Sequence, residues 1–191
     1  MSQINSLSDI TNNGLCIGCG ICQSLVGTDK ISISMSEKGR LEPKAIKPLS
    51  NLEFEKIKKT CPGVIVEGLP QTEVNNNSKH DLIWGYYNSI FYSWSTDKDI
   101  RFQSSTGGLL NGLSLYLLET NKVDFVLHTA GDPDNPMRSL PKFSYTKKDL
   151  LNCESRSRYG PASPLSKFNE ALDTNKKLSL IHISEPTRHL L

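Results

Sequence analysis

The sequence contains no long apolar run and no excess of charge of either sign. None of its apolar stretches approaches the ~20 residues that a membrane-spanning helix needs, and residues 1–10 are polar, unlike a secretory signal. The 22 basic and 20 acidic side chains give a net charge of +2. Because both signs are mixed along the chain, no nucleic-acid or membrane surface is indicated. We therefore expect a soluble cytoplasmic protein that spans no membrane and binds no nucleic acid.

Cysteine is also scarce, and its distribution points to a metal site. The chain has five cysteines, and Cys16, Cys19 and Cys22 form a Cys-x-x-Cys-x-x-Cys run, which fits a reducing compartment better than a disulfide framework. Two-residue gaps let three thiolates converge, as at three corners of a cubane [4Fe–4S] cluster, whose irons bind soft sulfur ligands. We expect Gly18 and Gly20 to remove steric bulk where the loop passes close to the cluster.

The fourth cluster ligand is expected from a distant part of the chain. Ferredoxin-type runs continue with Cys-Pro after three further residues, but residues 26–27 are Val-Gly here. Cys61 is followed by Pro62 and comes directly after a predicted helix. We therefore predict that Cys61 completes the set of metal ligands.

Four cysteines also permit a different interpretation, a zinc ion held by four thiolates. Zinc loops usually present two separated Cys-x-x-Cys pairs, whereas here three cysteines form one run and the fourth is remote. The spacing therefore favours the iron–sulfur interpretation, with zinc as the alternative. Cys153 lies alone, and a lone cysteine is more often a small packed side chain than a ligand.

The patterning divides the chain into two units joined by a polar linker. Residues 1–72 form the first unit, residues 81–177 the second, and the asparagine-rich residues 73–80 the linker. In the first unit, Ser50 and Glu53 have the spacing of a capping box. The elements predicted there are strands over 31–35 and 40–46 and a helix over 52–59.

Strands and helices alternate in the second unit, so we predict an α+β protein with an α/β-like second domain. Apolar periodicity predicts a helix over 109–120 whose apolar positions include Leu109, Leu110, Leu113 and Leu117. The other elements predicted are strands over 89–95, 100–103 and 123–127, a helix capped by Thr146 and Asp149, and a helix opened by Ser163 and Pro164.

A glycine-containing turn, Ser104 to Gly108, precedes the predicted helix over 109–120. Amide N–H groups at a helix start, with glycines that permit close approach, can bind an anion such as a flavin or nucleotide phosphate. Arg101, Arg156 and Arg158 can add charge-assisted contacts. Such a turn is more often an ordinary helix start with a packing glycine, and arginines of this kind more often lie on the solvated surface. Aromatic residues before the turn can stack on a flavin ring or pack in the core: Trp84, Tyr86, Tyr87, Tyr92 and Trp94.

These motifs occur in an order that resembles one protein family. They are CIGCGIC at 16–22, CPG at 61–63, RFQSSTGG at 101–108 and SRYGP at 157–161. Together they make the chain similar to the coenzyme F-420 hydrogenase/dehydrogenase beta-subunit family over nearly everything from Leu15 to Lys177. Members of that family are flavin- and iron–sulfur-containing oxidoreductases, among them subunits of deazaflavin-reducing hydrogenases.

The resemblance implies that FAD binds in the second domain and exchanges electrons with a [4Fe–4S] cluster in the first. It also implies hydride exchange with an organic acceptor such as a deazaflavin coenzyme, and an electron-donor or acceptor protein (a ferredoxin or a partner oxidoreductase subunit) as partner. It identifies no catalytic residue. Matching positions assign flavin binding to Ser105, Thr106, Gly107 and Gly108, with help from Arg101, Arg158 and Tyr159.

The last residues have a different origin in our interpretation. Residues 178–188 read LSLIHISEPTR, the translation of an adapter used in transposase-based DNA sequencing libraries. We therefore expect residues 178–191 to be an adapter tail, with His182 and His189 excluded as ligands. The family continues at this place with an Ile-Gly-x-Pro-Cys type segment, so we expect an incomplete flavin domain that is inactive alone. The apolar start of the tail nevertheless suits a strand.

Three functions follow from these expectations. The first is a flavin-dependent oxidoreductase, and the second is an electron-transfer subunit without a substrate site of its own. The third is a zinc-stabilised interaction module. The first two share the cluster and differ in whether a substrate pocket faces the flavin, whereas a brown chromophore excludes the third.

Overall fold

The computed structural model describes residues 4–67, 71–75, 77–83, 85–151 and 160–181. Within these ranges, short helices are combined with three small sheets, so the α+β class predicted from the sequence is confirmed. No helix in this part of the chain is long and apolar enough to cross a membrane. The division into an iron–sulfur and a flavin domain stays a prediction.

Two short helices flank the cysteine run. Helix α1 (Leu7–Asn12) begins at a capping box in which Ser6 and Asp9 each accept the other's backbone N–H. Helix α2 (Ile21–Val26) follows the loop that carries Cys16 and Cys19. Neither helix is among the predicted elements, because six residues are too few to display a helical apolar period.

The other elements predicted for the first unit are confirmed. Strand β1 (Ile31–Met35) pairs antiparallel with β2 (Leu41–Ala45). Helix α3 (Asn51–Thr60) begins at the predicted capping box of Ser50 and Glu53. Its end places Cys61 at the C-cap position, as the sequence predicts.

One apolar cluster holds the first unit together. Ile31 of β1 and Ile57 of α3 are fully buried, and they pack with Leu7 and Ile10 of α1 and with Cys22 of α2. Because Ile57 lies one turn before the end of α3, this packing fixes the end of the helix beside α1 and α2. The cluster therefore holds the segment that carries Cys61 close to the cysteine run.

The start of α3 is also tied to the segment before β1. The Lys30 ammonium forms an ion pair with the Glu53 carboxylate, which in turn accepts hydrogen bonds from the backbone N–H and the hydroxyl of Ser50. One carboxylate thus caps the helix and joins it to a residue 23 positions earlier.

The region between the two units differs from the prediction. Residues 79–80, expected to belong to a linker, lie in strand β3 (Lys79–Asp81), which pairs antiparallel with β4 (Gly85–Tyr87). Residues 89–95, predicted to be a strand, form no regular element. Aromatic content favours a strand only where a neighbouring strand and a core are available, and here the apolar side chains are exposed: Ile90, Phe91, Tyr92 and Trp94.

Residues 100–103, predicted to be a strand, are helical instead. The Asp97 side chain accepts hydrogen bonds from the backbone N–H groups of Asp99 and Ile100, and helix α4 (Lys98–Gln103) follows. An aspartate at the N-cap position satisfies the first free N–H groups of a helix. This local interaction decides the conformation, and Ile100 is the buried residue of α4.

A three-stranded sheet forms the centre of the second unit. Strand β5 (Phe125–Gly131) lies in the middle, antiparallel to β6 (Ser139–Ser144) and parallel to β7 (Leu178–Leu180). The strand predicted over 123–127 is therefore confirmed, although it begins two residues later and extends further. Strand β6 was not predicted. It contains Pro141, which a sheet tolerates because β6 lies at its edge.

Three helices pack around the sheet: α5 (Leu109–Glu119), α6 (Lys147–Leu151) and α7 (Phe168–Asp173). Successive residues of a strand point to opposite faces. Val126 accordingly packs in a cluster with residues of α5 and α6, whereas Phe125 and Leu127 pack with Ala171 of α7. The middle strand is thus buried on both sides, and α7 belongs to its own face of the sheet.

The middle strand also carries a buried polar pair. His128 Nε2 lies 2.8 Å from Ser144 Oγ of β6. Burial, with a smaller effect of the Lys142 charge, lowers the pKa of His128 to about 4. The imidazole is therefore neutral at pH 7, and the pair is a satisfied hydrogen bond inside the sheet.

Only some of the apolar positions that the sequence shows in α5 are buried. The helix covers residues 109–119, but Leu109 and Leu113 are exposed, whereas Ser114 and Leu115 are buried. The apolar positions outnumber those that one packed face can accommodate. Only the tertiary contacts select which of them faces the core.

The two remaining helix starts have different outcomes. The capping pair of Thr146 and Asp149 is confirmed at the start of α6. Ser163, predicted to open a helix, does not do so, because residues 164–167 form turns and α7 begins at Phe168. Its hydroxyl is used in a tertiary contact instead.

The start of the expected tail is part of the sheet. Residues 178–180 form β7 beside β5, as their apolar pattern predicts, and Ile181 packs in the cluster of Val126. Residues 182–191, including His182 and His189, lie outside the described residues. The adapter origin of residues 178–191 stays a prediction.

Replacing Glu53 by Gln should change how stability depends on pH. The hydrogen bond from Lys30 is the largest cause that lowers the Glu53 pKa from 4.5 to about 2, and hydrogen bonds from Ser50 act in the same direction. Because the pKa is lower in the folded protein, the stabilisation is complete above about pH 4.5 and is lost as the pH falls towards 2. Urea unfolding over this range should show a smaller decline in Glu53→Gln than in the wild type.

Glu55→Gln is the matched control for this prediction. It makes the same change of charge on the same helix, but Glu55 is paired only with Lys58, three residues further along α3. The control should therefore keep the wild-type decline. If Glu53→Gln keeps it as well, the ion pair with Lys30 does not stabilise the fold.

Candidate metal centre

Four cysteines line one pocket in the first unit. Cys16 and Cys19 lie in the loop before α2, Cys22 lies in α2, and Cys61 follows α3. None of the four forms a disulfide. The remaining walls of the pocket are apolar: Leu7, Ile10, Ile17, Gly20, Ile21, Pro43 and Ile57. The structure thus brings together the four side chains that the spacing selects, and their role as ligands stays a prediction.

A close backbone approach brings Cys61 to the other three cysteines. A Cβ atom on Gly63 would lie 2.0 Å from the carbonyl oxygen of Leu15 and 2.9 Å from its carbonyl carbon. No side chain larger than hydrogen fits there. Glycine at position 63 therefore allows the segment after α3 to lie against the backbone that enters the cysteine loop, which we define as residues 15–22.

One backbone N–H group of the cysteine loop donates a hydrogen bond to a sulfur atom, Gly18 to Cys16, at an N···S distance of 3.4 Å. The N–H groups of Ile21 and Gln23 act on Cys19 and Cys22 in the direction that lowers the pKa of each thiol. N–H···S bonds stabilise negative charge on sulfur. In iron–sulfur proteins they are among the factors that set the reduction potential.

Burial opposes the ionisation of two of the thiols. It raises the pKa of Cys19, and it raises the pKa of Cys22 to about 12, with the negative charge of neighbouring cysteines acting in the same direction. Buried thiolates that lie near one another keep their negative charge only if a cation neutralises it. A metal that binds here therefore displaces protons from these thiols.

The four thiols share a pocket without meeting at one point. Among the described residues, no three cysteine, histidine, aspartate or glutamate side chains are placed to hold one metal ion together. In a cubane cluster each cysteine binds a different iron, so the ligands surround a larger body. Four thiol donors in one apolar pocket are a donor set that fits such a cluster.

Gly18 and Gly20 also have packing roles, and the role predicted for them beside a cluster stays a prediction. Both have positive φ angles, and each leaves space for a neighbouring segment of the chain. A Cβ on Gly18 would lie 2.8 Å from the Leu41 carbonyl oxygen, and one on Gly20 would lie 3.0 Å from the Cβ atoms of Ser163 and Ser166. The glycines let the cysteine loop pack against β2 on one side and against the second unit on the other.

Three residues of the second unit that contact the cysteine loop or α2 were not predicted. The Ser163 hydroxyl donates to the Gly18 carbonyl and the Leu165 N–H donates to the Cys19 carbonyl, each at 2.8 Å. Asn169 also forms hydrogen bonds with α2. The sequence indicates only a helix start at Ser163 and Pro164. No local pattern predicts a contact between residues that lie 145 positions apart.

The glycine-containing turn adopts an uncommon backbone conformation. Thr106, Gly107 and Gly108 have φ angles of 50, 66 and 70°, three consecutive residues in the left-handed region. For a β-branched residue such as Thr106 this conformation is an outlier, and outliers of this kind cluster at functional sites. The Thr106 side chain is exposed, and no side chain caps the first turn of α5.

The glycines of the turn also have packing roles. A Cβ on Gly107 would lie 3.0 Å from the Cβ of Trp94, and one on Gly108 would lie 2.9 Å from the Ile100 carbonyl oxygen and 3.1 Å from the Arg101 Cα. The turn is thus seated on the end of α4, with the Arg101 backbone beside it.

The other residues expected near a flavin have different outcomes. Arg101 is exposed in the last turn of α4. Arg158 and Tyr159, together with Arg156, Cys153 and Trp84, lie outside the described residues. The flavin-binding role of Ser105, Thr106, Gly107 and Gly108 stays a prediction.

Comparison with known proteins finds a family similarity in the second unit. Residues 90–169 match the model described as coenzyme F420 hydrogenase/dehydrogenase, beta subunit N-term. A 91-residue stretch is 30% identical to coenzyme F420 hydrogenase subunit beta of Methanosarcina barkeri (strain Fusaro), covering 48% of this chain and 31% of that protein. In a solved structure of the F420-reducing [NiFe] hydrogenase complex from Methanosarcina barkeri, one chain matches with 30% identity, 46% and 30% coverage and a TM-score of 0.41.

These matches confirm the resemblance expected from the sequence. Residues 90–169 are similar to the coenzyme F420 hydrogenase/dehydrogenase beta-subunit family. The matched part spans about a third of the length of the two relatives. The family match includes the turn at 104–108 but not the four cysteines, so the metal centre depends on its own motif and geometry.

Gly63→Ala should disturb the metal centre even in the absence of metal. The new Cβ would overlap the Leu15 carbonyl, and overpacking of this kind typically costs about 1–3 kcal/mol of stability. The segment carrying Cys61 then has to move away from the cysteine loop. We expect a lower urea midpoint and faster reaction of the thiols with a disulfide reagent.

Gly160→Ala serves as the comparison variant. Its Cβ would be 3.6 Å from the nearest atom, the Met137 carbonyl oxygen, which is ordinary contact. It should therefore leave thiol reactivity unchanged. The same thiol reactivity in Gly63→Ala as in the wild type would show that the close approach does not hold Cys61 in place.

Proposed function

We propose that this chain is part of an iron–sulfur flavoprotein oxidoreductase that passes electrons between a [4Fe–4S] cluster and FAD. The carrying observation is the shared pocket of Cys16, Cys19, Cys22 and Cys61. The proposal includes hydride exchange with an organic acceptor such as a deazaflavin coenzyme. That part is supported by the family similarity of residues 90–169 and by the name of the similar protein, an F420 hydrogenase subunit.

The cluster assignment is supported by three features of the pocket. The donors are all thiols, which iron–sulfur clusters use almost exclusively. Their surroundings are apolar, so a charged group is shielded from water. Backbone N–H groups act on three of the sulfurs, and they offset part of the negative charge that a thiolate-bound cluster carries.

The flavin assignment is supported by the family and by the turn at 104–108. A phosphate or another anionic part of FAD would be bound by backbone N–H groups at the start of α5. The left-handed conformation of Thr106, Gly107 and Gly108 gives the anion access to these groups. Thr106 is exposed and offers a hydroxyl beside those groups. Arg101, whose backbone adjoins Gly108, supplies a positive charge on the neighbouring helix.

The two cofactors would divide the chemistry between them. A flavin accepts or releases a hydride, and a cluster passes single electrons. The residues of this chain then have distinct tasks: the four cysteines hold the cluster, the N–H groups adjust its charge, and the turn orients the flavin. No described residue is assigned as a proton donor or acceptor.

A partner protein fits the exposed side of the metal centre. Ile17, between the first two cysteines, is half exposed, so an apolar contact surface lies directly at the pocket. We propose that an electron-donor or acceptor protein, either a ferredoxin or a partner oxidoreductase subunit, docks there. The similar solved chain is part of a hydrogenase complex.

The second candidate function is that of an electron-transfer subunit without a substrate site. The pocket lined by the cysteines has no polar side chain that would bind an organic substrate, which favours this candidate for the first unit taken alone. Reduction of a deazaflavin by the flavin-loaded protein would decide for the oxidoreductase. Flavin reduction without deazaflavin turnover would decide for the electron-transfer subunit.

Anaerobically purified and reconstituted protein should contain about four irons per chain, as a cubane needs. It should be brown, because thiolate-to-iron charge transfer gives broad visible absorption. Cys61→Ser should lose as much iron as Cys19→Ser, because the four thiols act as one donor set.

The comparison variants settle which metal and which ligands are involved. Cys153→Ser makes the same change at the cysteine that lies apart from the run and from Cys61, so it should retain the iron. Stoichiometric zinc without iron after the same reconstitution would support the zinc-stabilised module and contradict the cluster. Full iron content in Cys61→Ser would remove that residue from the ligand set.

The flavin turn can be tested without disturbing its packing. Gly107→Val would strike Trp94, so a loss of FAD binding in that variant would not separate binding from folding. Thr106→Ala removes an exposed hydroxyl instead, and one lost hydrogen bond to a charged group should weaken FAD binding roughly 10-fold.

Thr96→Ala, an exposed threonine before α4, is the control and should bind FAD as the wild type does. Fluorescence titration with FAD measures all three affinities. Equal affinities in the wild type and Thr106→Ala would remove this side chain from the flavin site.

A further inference from the structure

Residues 163–169, which we call the bridging segment, contact the cysteine loop through two backbone carbonyls. The buried Ser163 hydroxyl donates to the Gly18 carbonyl at 2.8 Å, and the Leu165 N–H donates to the Cys19 carbonyl at 2.8 Å. The two donors are two residues apart and the two acceptors are adjacent in sequence. The bridging segment and the cysteine loop therefore lie side by side. Gly20 permits this approach, because a Cβ there would lie 3.0 Å from the Ser163 Cβ.

The two residues whose carbonyls accept these hydrogen bonds, Gly18 and Cys19, belong to the cysteine loop. Gly18 uses its carbonyl for Ser163 and its N–H for Cys16 Sγ. Cys19 uses its carbonyl for Leu165, while the Ile21 N–H lowers the pKa of its thiol. The loop is thus held on its outer side by the bridging segment and on its inner side by the N–H···S bond to Cys16. Movement of the outer side changes the direction of the inner N–H group.

The bridging segment continues into α7, which contacts both α2 and the central sheet. The Asn169 N–H donates to Ser24 Oγ and its side-chain amide donates to the Ser24 carbonyl, both at 2.7 Å. Ser24 thereby satisfies an N–H in the first turn of α7, whose N-cap residue Lys167 gives no side-chain cap. Further along α7, Ala171 packs in the core of the central sheet. The central sheet therefore determines where the segment meets the loop.

We propose that Ser163 is a positioning residue of the metal centre, which holds the cysteine loop so that the Gly18 N–H group stays directed at the Cys16 sulfur. This inference rests on the proposed iron–sulfur function and adds to it a residue of the second unit. Through α7, the sheet of the second unit then influences the electronic properties of the cluster in the first.

The expected consequence is a change in redox behaviour as well as in stability. An N–H···S bond stabilises the reduced cluster more than the oxidised one, because the reduced cluster carries more negative charge. Weaker N–H···S bonds therefore lower the reduction potential. Loss of a residue that orients metal ligands typically weakens metal binding about 10–100-fold.

The test compares Ser163→Ala with Thr174→Ala in the full chain. Ser163→Ala removes the hydroxyl and keeps the Cβ that packs on Gly20. Thr174 lies after α7, and its hydroxyl donates to the Ala171 carbonyl without reaching the loop. Three measurements are made: the potential by an EPR-monitored redox titration, the rate of iron release to a chelator, and hydrogen exchange of residues 15–22 in the metal-free protein.

Ser163→Ala should lower the reduction potential, release iron roughly 10-fold faster and exchange the loop amides roughly fivefold faster. Thr174→Ala should match the wild type in all three. A wild type that assembles a cluster, with an unchanged potential in Ser163→Ala, overturns the inference and leaves the iron–sulfur function intact. A wild type that assembles no cluster overturns the iron–sulfur function. Unchanged exchange in metal-free Ser163→Ala overturns the inference in either case.

Discussion

The close approach of Gly63 to the Leu15 carbonyl is the constraint on which the proposed metal centre depends. The cysteine run and Cys61 are distant in the sequence, and this backbone contact together with the packing of Ile57 brings them to one pocket. Glycine is needed there for space, since its φ angle is not in the left-handed region. The capped start of α3 sets the direction from which the helix delivers Cys61.

The same loop shows how a fold can prepare a site for a charged group before the group binds. Burial raises the pKa of the Cys19 and Cys22 thiols, which opposes negative charge, while neighbouring N–H groups act in the opposite direction. A positively charged metal cluster satisfies both conditions at once. The pocket is thus unfavourable for bare thiolates and favourable for metal-bound ones.

The second unit contributes more than a neighbouring domain would. Helix α7 packs on the sheet through Ala171 and forms hydrogen bonds with α2 through Asn169, so one short helix connects the sheet of the second unit to α2 of the first. The family match covers residues 90–169 and hence most of this unit. A redox role for the family and a thiolate pocket in the first unit are therefore joined by a direct structural connection through the bridging segment.

The sequence by itself determined the elements whose signals are local. The capping boxes at α3 and α6 and the alternation of β1 all lie within a few residues, and each is found as predicted. The Cys-x-x-Cys-x-x-Cys run is equally local, and its three thiols line one pocket. Tertiary structure alone decided that residues 89–94 remain exposed and that Ser163 contacts Gly18. It also gave Gly18 and Gly20 their neighbours, because a contact between distant segments depends on packing that no short stretch of sequence encodes.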